Sequence, residues 1–136
     1  MAASSKKTKF GQRMPSKKAH VWILGRIPLT NNELLKSHWR KKERDKKSWR
    51  EWVAAVARRG PWHHDKYQAP RVVVKITVYR WNLQDKENLY GSTKHLTDAI
   101  VRAGWARDDS HRWMDLEVRE RIDRKERRTE VYWEVL

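Results

Sequence analysis

Cysteine is absent from the 136 residues, which excludes disulfides, thiolate zinc sites and a cysteine nucleophile. Long apolar runs are missing too. No stretch approaches the ~20 apolar residues of a membrane-spanning helix, and the basic N-terminal segment MAASSKKTKF has no apolar signal-peptide core. A soluble intracellular chain is the expectation. The sequence has no P-loop, no GxGxxG and no GxSxG. Acid is scarce: 17 Asp and Glu face 32 Lys and Arg, a formal net charge of +15 with histidine neutral. Such an excess points to a polyanionic partner, with nucleic acid the leading class, because neutralising phosphates releases counterions.

What is present is enough to fold. One domain is expected at this length, able to hide roughly two-thirds of the surface of its unfolded form. Residues 1–19 carry six Lys and Arg without an acid and read as a basic flexible N-terminal arm, leaving 20–136 as the folded domain. HVWILGRI from His20 predicts a first strand that ends before Pro28. Thr30, Asn31 and Asn32 offer helix-capping chemistry ahead of a long helix, broken early, that stops at Gly60 and Pro61. Its second half sets Trp49, Trp52, Val53 and Val56 on one stripe, leaving a basic row outside it.

Val72, Val74, Ile76 and Val78 face one way while Val73, Lys75, Thr77 and Tyr79 face the other, and together they mark the clearest strand. A second helix places Leu96, Ala99, Ile100 and Ala103 on one face and ends at Gly104. Met114, Leu116, Val118 and Ile122 keep period two, interrupted in phase by Glu120; a charged turn then leads to a last strand with Val131, Trp133 and Val135 on one face. The expectation is an α+β single domain, a mixed sheet of about four strands with two main helices, in the order strand-helix-strand-helix-strand-strand.

In so basic a chain, the acids that gather beyond the central strand are informative. Asp85 and Glu87 are two apart in an extended stretch, so their side chains share one face about 6 to 7 Å apart and can share one cation. Asp108 and Asp109 follow the second helix, where a loop can return a third carboxylate to them. Hard oxygen donors of this kind suit Mg²⁺ or Mn²⁺. Lys94 in the first turns of the second helix is placed to bind a phosphate, and Asp98 at i+4 is placed to hold it. The histidines show no zinc spacing: His95 reads as a helix-surface residue, and His63 and His64 as loop residues. Asp45-Lys-Lys47 and Asp123-Arg-Lys125 resemble the acid-x-Lys half of a nuclease signature, but one falls in a helix and the other in a turn, and both are set aside.

The run DKENLYGSTKHLTDAIVRAGWARDD, Asp85 to Asp109, resembles the signature of the RusA family of Holliday junction resolvases, including its bacteriophage-type members. In that family an acid-x-acid-Asn-Leu run follows a strand, a Lys and an Asp follow on a helix, and an Asp-Asp pair follows a Gly-bearing helix end. The resemblance implies a RusA-like endonuclease domain over 20–136 that resolves four-way junctions by paired symmetric nicks, in DNA recombination and repair or phage DNA processing, in the cytoplasm of a bacterial host. It implies Asp85, Glu87 and Asp109 as metal ligands, Lys94 as the catalytic lysine, and Asn88, Asp98 and Asp108 as supporting residues. The chain departs from the pattern in having Glu at 87 and a Tyr-Gly-Ser insertion before Lys94.

The resemblance also implies a homodimer on branched DNA, with no membrane and no small-molecule cofactor. Arg40, Lys41, Lys42, Arg44, Lys46 and Lys47 on the first helix, with Lys125, Arg127 and Arg128 on a last hairpin, are the candidate phosphate contacts. Trp39, Trp105 and Trp113 fall outside the core stripes and are candidates for the dimer contact. A non-catalytic DNA-binding module and a nuclease acting on flaps or other branched DNA are the alternatives.

Overall fold

The computed structural model describes residues 19–84 and 89–136. Strand β1 (Ala19–Leu24) is followed by a short helix α1 (Asn31–Lys36) and the long helix α2 (Trp39–Val56). Thr30 opens α1 with a reciprocal cap: its Oγ1 accepts from Glu33 N at 3.1 Å while Glu33 Oε1 accepts from Thr30 N at 3.0 Å. The early break expected in the first helix falls at Ser37, where the backbone turns extended, and His38 caps α2 by accepting from Arg40 N at 3.2 Å. Strand β2 (Val72–Arg80) leads through helices α3 (Leu89–Ser92) and α4 (Lys94–Arg102) to β3 (Met114–Ile122), and β4 (Arg128–Val135) comes last.

The four strands lie in the order β1-β4-β2-β3. β2 and β3 are parallel, joined by the α3–α4 crossover, whereas β4 runs antiparallel to both β1 and β2. The fold is therefore the expected α+β mixed sheet with two main helices. The expected last hairpin does not form. β3 and β4 are separated by β2, which takes hydrogen bonds from both, so the charged turn carries the chain across a neighbour.

Period two is realised in β2, where Val72, Val74, Ile76 and Val78 are buried against α2 and α4. Each such side chain contributes roughly 1.5–3 kcal/mol relative to exposure. The helices answer with Trp49 and Val53 from α2 and Leu96, Ala99 and Ile100 from α4. Trp105 also belongs to this core, 5% exposed, its ring centroid 4.6 Å from that of Trp22 and 5.0 Å from that of Trp133. That removes it from the dimer candidates. Trp113 is half-buried, with Arg107 3.7 Å above its ring, while Trp39 is exposed. Residues 1–18 of the expected arm lie outside the described residues, and Ala19 already begins β1. Among the described residues no helix is long and apolar enough to cross a membrane.

Candidate active site

The carboxyl end of a parallel strand pair is where open α/β arrangements place their ligands. Here that end is built around Gln84. Its backbone N–H donates to Glu120 Oε1 at 3.0 Å, and its Nε2 donates to Glu120 Oε2 at 2.9 Å and reaches Ser92 Oγ at 3.0 Å. Asp85, Glu87 and Asn88 lie in the segment between Gln84 and α3, outside the described residues.

Lys94 begins α4, and its Nζ donates to Asp98 Oδ1 at 3.0 Å and to Asp109 Oδ2. The first is the helical i,i+4 pair; the second joins residues 15 apart and brings the loop after α4 back to the helix start. Asp109 N in turn donates to Asp108 Oδ1 at 2.7 Å. The Lys94 hydrogen bond holds the Asp109 carboxyl below its ordinary value against the opposing effect of partial burial. The same bond raises Lys94. Asp109 is thus an ionised oxygen donor of the kind a hard divalent cation takes. Among the described residues no group of three or more His, Asp or Glu side chains could hold a metal; of the expected ligands, these residues include Asp109 alone.

Of the expected phosphate contacts, Arg40, Lys41, Arg44 and Lys47 are exposed along α2, whereas Lys42 and Lys46 are half-buried, Lys46 within 3.3 Å of Glu43. Lys125 and Arg127 are exposed on the β3–β4 connection. Arg128 is engaged inside the protein: Asp123 and Glu130 each hold its guanidinium at 2.9 Å, and it lies 3.8 Å above the Tyr79 ring.

Two buried acids were not anticipated. Asp45 on α2, with a side chain 4% exposed, accepts from Arg26 and faces His95 Nδ1 at 2.6 Å, linking the end of β1, α2 and α4. His95 is accordingly not a surface residue of its helix. Glu120 is the second, bound to Arg80 Nε at 2.5 Å. Both had a sequence signal: Asp45 precedes Trp49 and Val53 at i+4 and i+8, and Glu120 falls in the buried phase of its strand. An acid in an apolar phase needs a buried partner. No protein-family model and no curated protein sequence matches the chain.

Proposed function

We propose that the chain is a Mg²⁺-dependent, structure-selective DNA endonuclease that nicks four-way junctions in pairs as a homodimer. The contact of Lys94 with Asp109 carries this reading: a cation and a carboxylate from separate segments converge at the start of α4. The basic row on α2 and the resemblance of residues 85–109 to the RusA signature support it.

In this reading Asp85, Glu87 and Asp109 hold the cation, an all-oxygen donor set suited to Mg²⁺ or Mn²⁺. When bound, the metal polarises the scissile phosphate and lowers the pKa of an attacking water. Asp109 supplies its charge already ionised. Lys94 places an ammonium where negative charge develops on the phosphate oxygens, and Asp98 limits the arc that its flexible stem sweeps. The exposed side chains of α2 hold backbone phosphates without reading bases, so choice of substrate rests on junction shape. Twofold symmetry then matches two sites to two opposed strands.

The test is incubation with a labelled four-way junction in Mg²⁺ or EDTA, with Asp109→Asn beside the wild type. Symmetric, metal-dependent nicks that vanish in the variant are expected. Tight binding without incision in Mg²⁺, and in a parallel Mn²⁺ arm, refutes the reading in favour of a DNA-binding module.

A further inference from the structure

We propose that an arginine-walled cavity between the C-terminal ends of α2 and α4 is a second phosphate site, which takes a backbone phosphate of the DNA away from the Lys94–Asp109 pair. The cavity measures about 560 Å³, with Arg50, Arg58, Arg59 and Arg102 around a floor that includes Ala54 and Ala99. All four arginines are exposed, and no carboxylate among the described residues forms an ion pair with any of them. Four like charges around small alanines repel one another in the free protein and are relieved by an anion; guanidinium forks match phosphate oxygens. The favourable effect of a cation near a helix C-terminus accounts for Arg102 and in part for Arg58 and Arg59, but not for Arg50 in the body of α2.

The backbone supplies an independent observation. Arg58 has φ +62°, the left-handed conformation that follows many helix ends and favours glycine. An arginine accepts that strain here while its carbonyl accepts from Trp105 Nε1 at 3.2 Å. The wall is fixed to α4: Gly60 N donates to Ala103 O at 2.8 Å and Trp62 N to Gly104 O at 3.2 Å. The approach is so close that a Cβ on Gly60 would fall 2.3 Å from the Gly104 oxygen. The backbone that carries Arg58 and Arg59 is therefore held firmly against the end of α4, while the guanidinium groups themselves stay free to close on an anion.

Its place in the fold suits DNA as the occupant. Lys94 and Arg102 are eight residues apart on α4, about 12 Å along the axis, equal to the rise of about three to four base pairs at ~3.4 Å each. The cavity is also open and continues the exposed basic row of α2, as suits a strand and not an enclosed small phosphate. The choice of DNA rests on the function proposed above; the anion site does not require that the chain cut it.

The experiment is fluorescence anisotropy of a labelled four-way junction in EDTA across a salt series, comparing wild type, Arg50→Gln/Arg102→Gln and Arg58→Gly. The double variant is expected to lose at least about tenfold in affinity and about two units of salt slope. Arg58→Gly should lose about one unit while its thermal midpoint holds or rises, since glycine relieves the strain; this keeps the test decisive if the double variant fails to fold. Unchanged affinity and slope in folded variants overturn the proposal. So does calorimetric binding of pyrophosphate that these substitutions abolish while junction affinity stays intact. Cleavage read in parallel separates the two readings: pocket-dependent binding without incision refutes the nuclease alone, and incision by variants whose junction affinity and salt slope are unchanged refutes the pocket alone.

Discussion

Arg80 Nε of β2 lies 2.5 Å from Glu120 Oε2 of the parallel neighbour β3, with both side chains about 5% exposed (6% and 4%). The same carboxylate takes both donors of Gln84, so one buried acid ties the two strands together and sets where the chain leaves β2 for residues 85–88. Removing Glu120 leaves a buried guanidinium without its counter-charge. Glu120→Ala is expected to lower stability by about 3–5 kcal/mol, measured by urea denaturation. A loss under 1 kcal/mol would show that water replaces the carboxylate.

Asp45 plays the corresponding part on the other side of the helices, receiving Arg26 and facing His95. Asp45→Ala leaves His95 Nδ1 without its partner and takes the carboxylate from Arg26, which keeps its hydrogen bond to Ser48, and should cost about 3–5 kcal/mol. His95→Leu removes one hydrogen bond and fills its space, and about 1–3 kcal/mol is expected. Thermal unfolding monitored by tryptophan fluorescence ranks the two; equal losses would mean that the histidine contact carries the whole network.

Lys94 stands apart from these anchors. Its side chain is 57% exposed, and its pairs with Asp98 and Asp109 contribute little to folding. Lys94→Ala should change stability by less than about 1 kcal/mol yet reduce junction cleavage by roughly 10²–10³-fold. Single-turnover incision at saturating protein is the measurement. Retained cleavage would remove the lysine from the chemistry.

Asp123 gives a pH signature. Backbone hydrogen bonds from Glu126, then the Arg128 guanidinium and the Lys125 N–H, lower its carboxyl from 3.8 to about 2. Because the folded value is the lower one, the unfolded chain takes up the proton first on acidification. The stabilising contribution is present above pH 3.8 and is lost as pH falls towards about 2. Asp123→Asn should therefore flatten the stability profile through that window. An acid limb identical to that of the wild type would assign the effect to other carboxylates.

Elements were legible where one residue's neighbours decide its state. The alternation Val72, Val74, Ile76, Val78 and the stripe Trp49, Trp52, Val53, Val56 depend on local period; the first is buried as expected, and of the second Trp49 and Val53 are buried while Trp52 and Val56 are half-buried against the core. Pairing across the sheet was not legible: Val131 lies between Trp22 and Ile76 in the ladder, and nothing in the intervening charged turn announces that β4 leaves β3. The site divides in the same way. Lys94 with Asp98 follows from helical spacing, whereas the contact of Asp109 with Lys94 was not legible: the loop was expected to return a carboxylate to Asp85 and Glu87, which lie outside the described residues. Asp45 and Glu120 carried the mark of burial but not the identity of partners 50 and 40 residues away.

The latest strand to be made is an interior one. Among the described residues β1 has no hydrogen-bonded neighbour except β4, from which it is separated by more than a hundred residues in pairs such as Trp22 with Val131. On a ribosome, β1 must wait unpaired until β4 emerges, while β2 and β3 can already join through their crossover. A synthesis arrest before Arg128 would therefore leave two unzipped edges in the nascent chain, one on β1 and one on β2, open to chaperones or to a neighbouring copy of the same sequence.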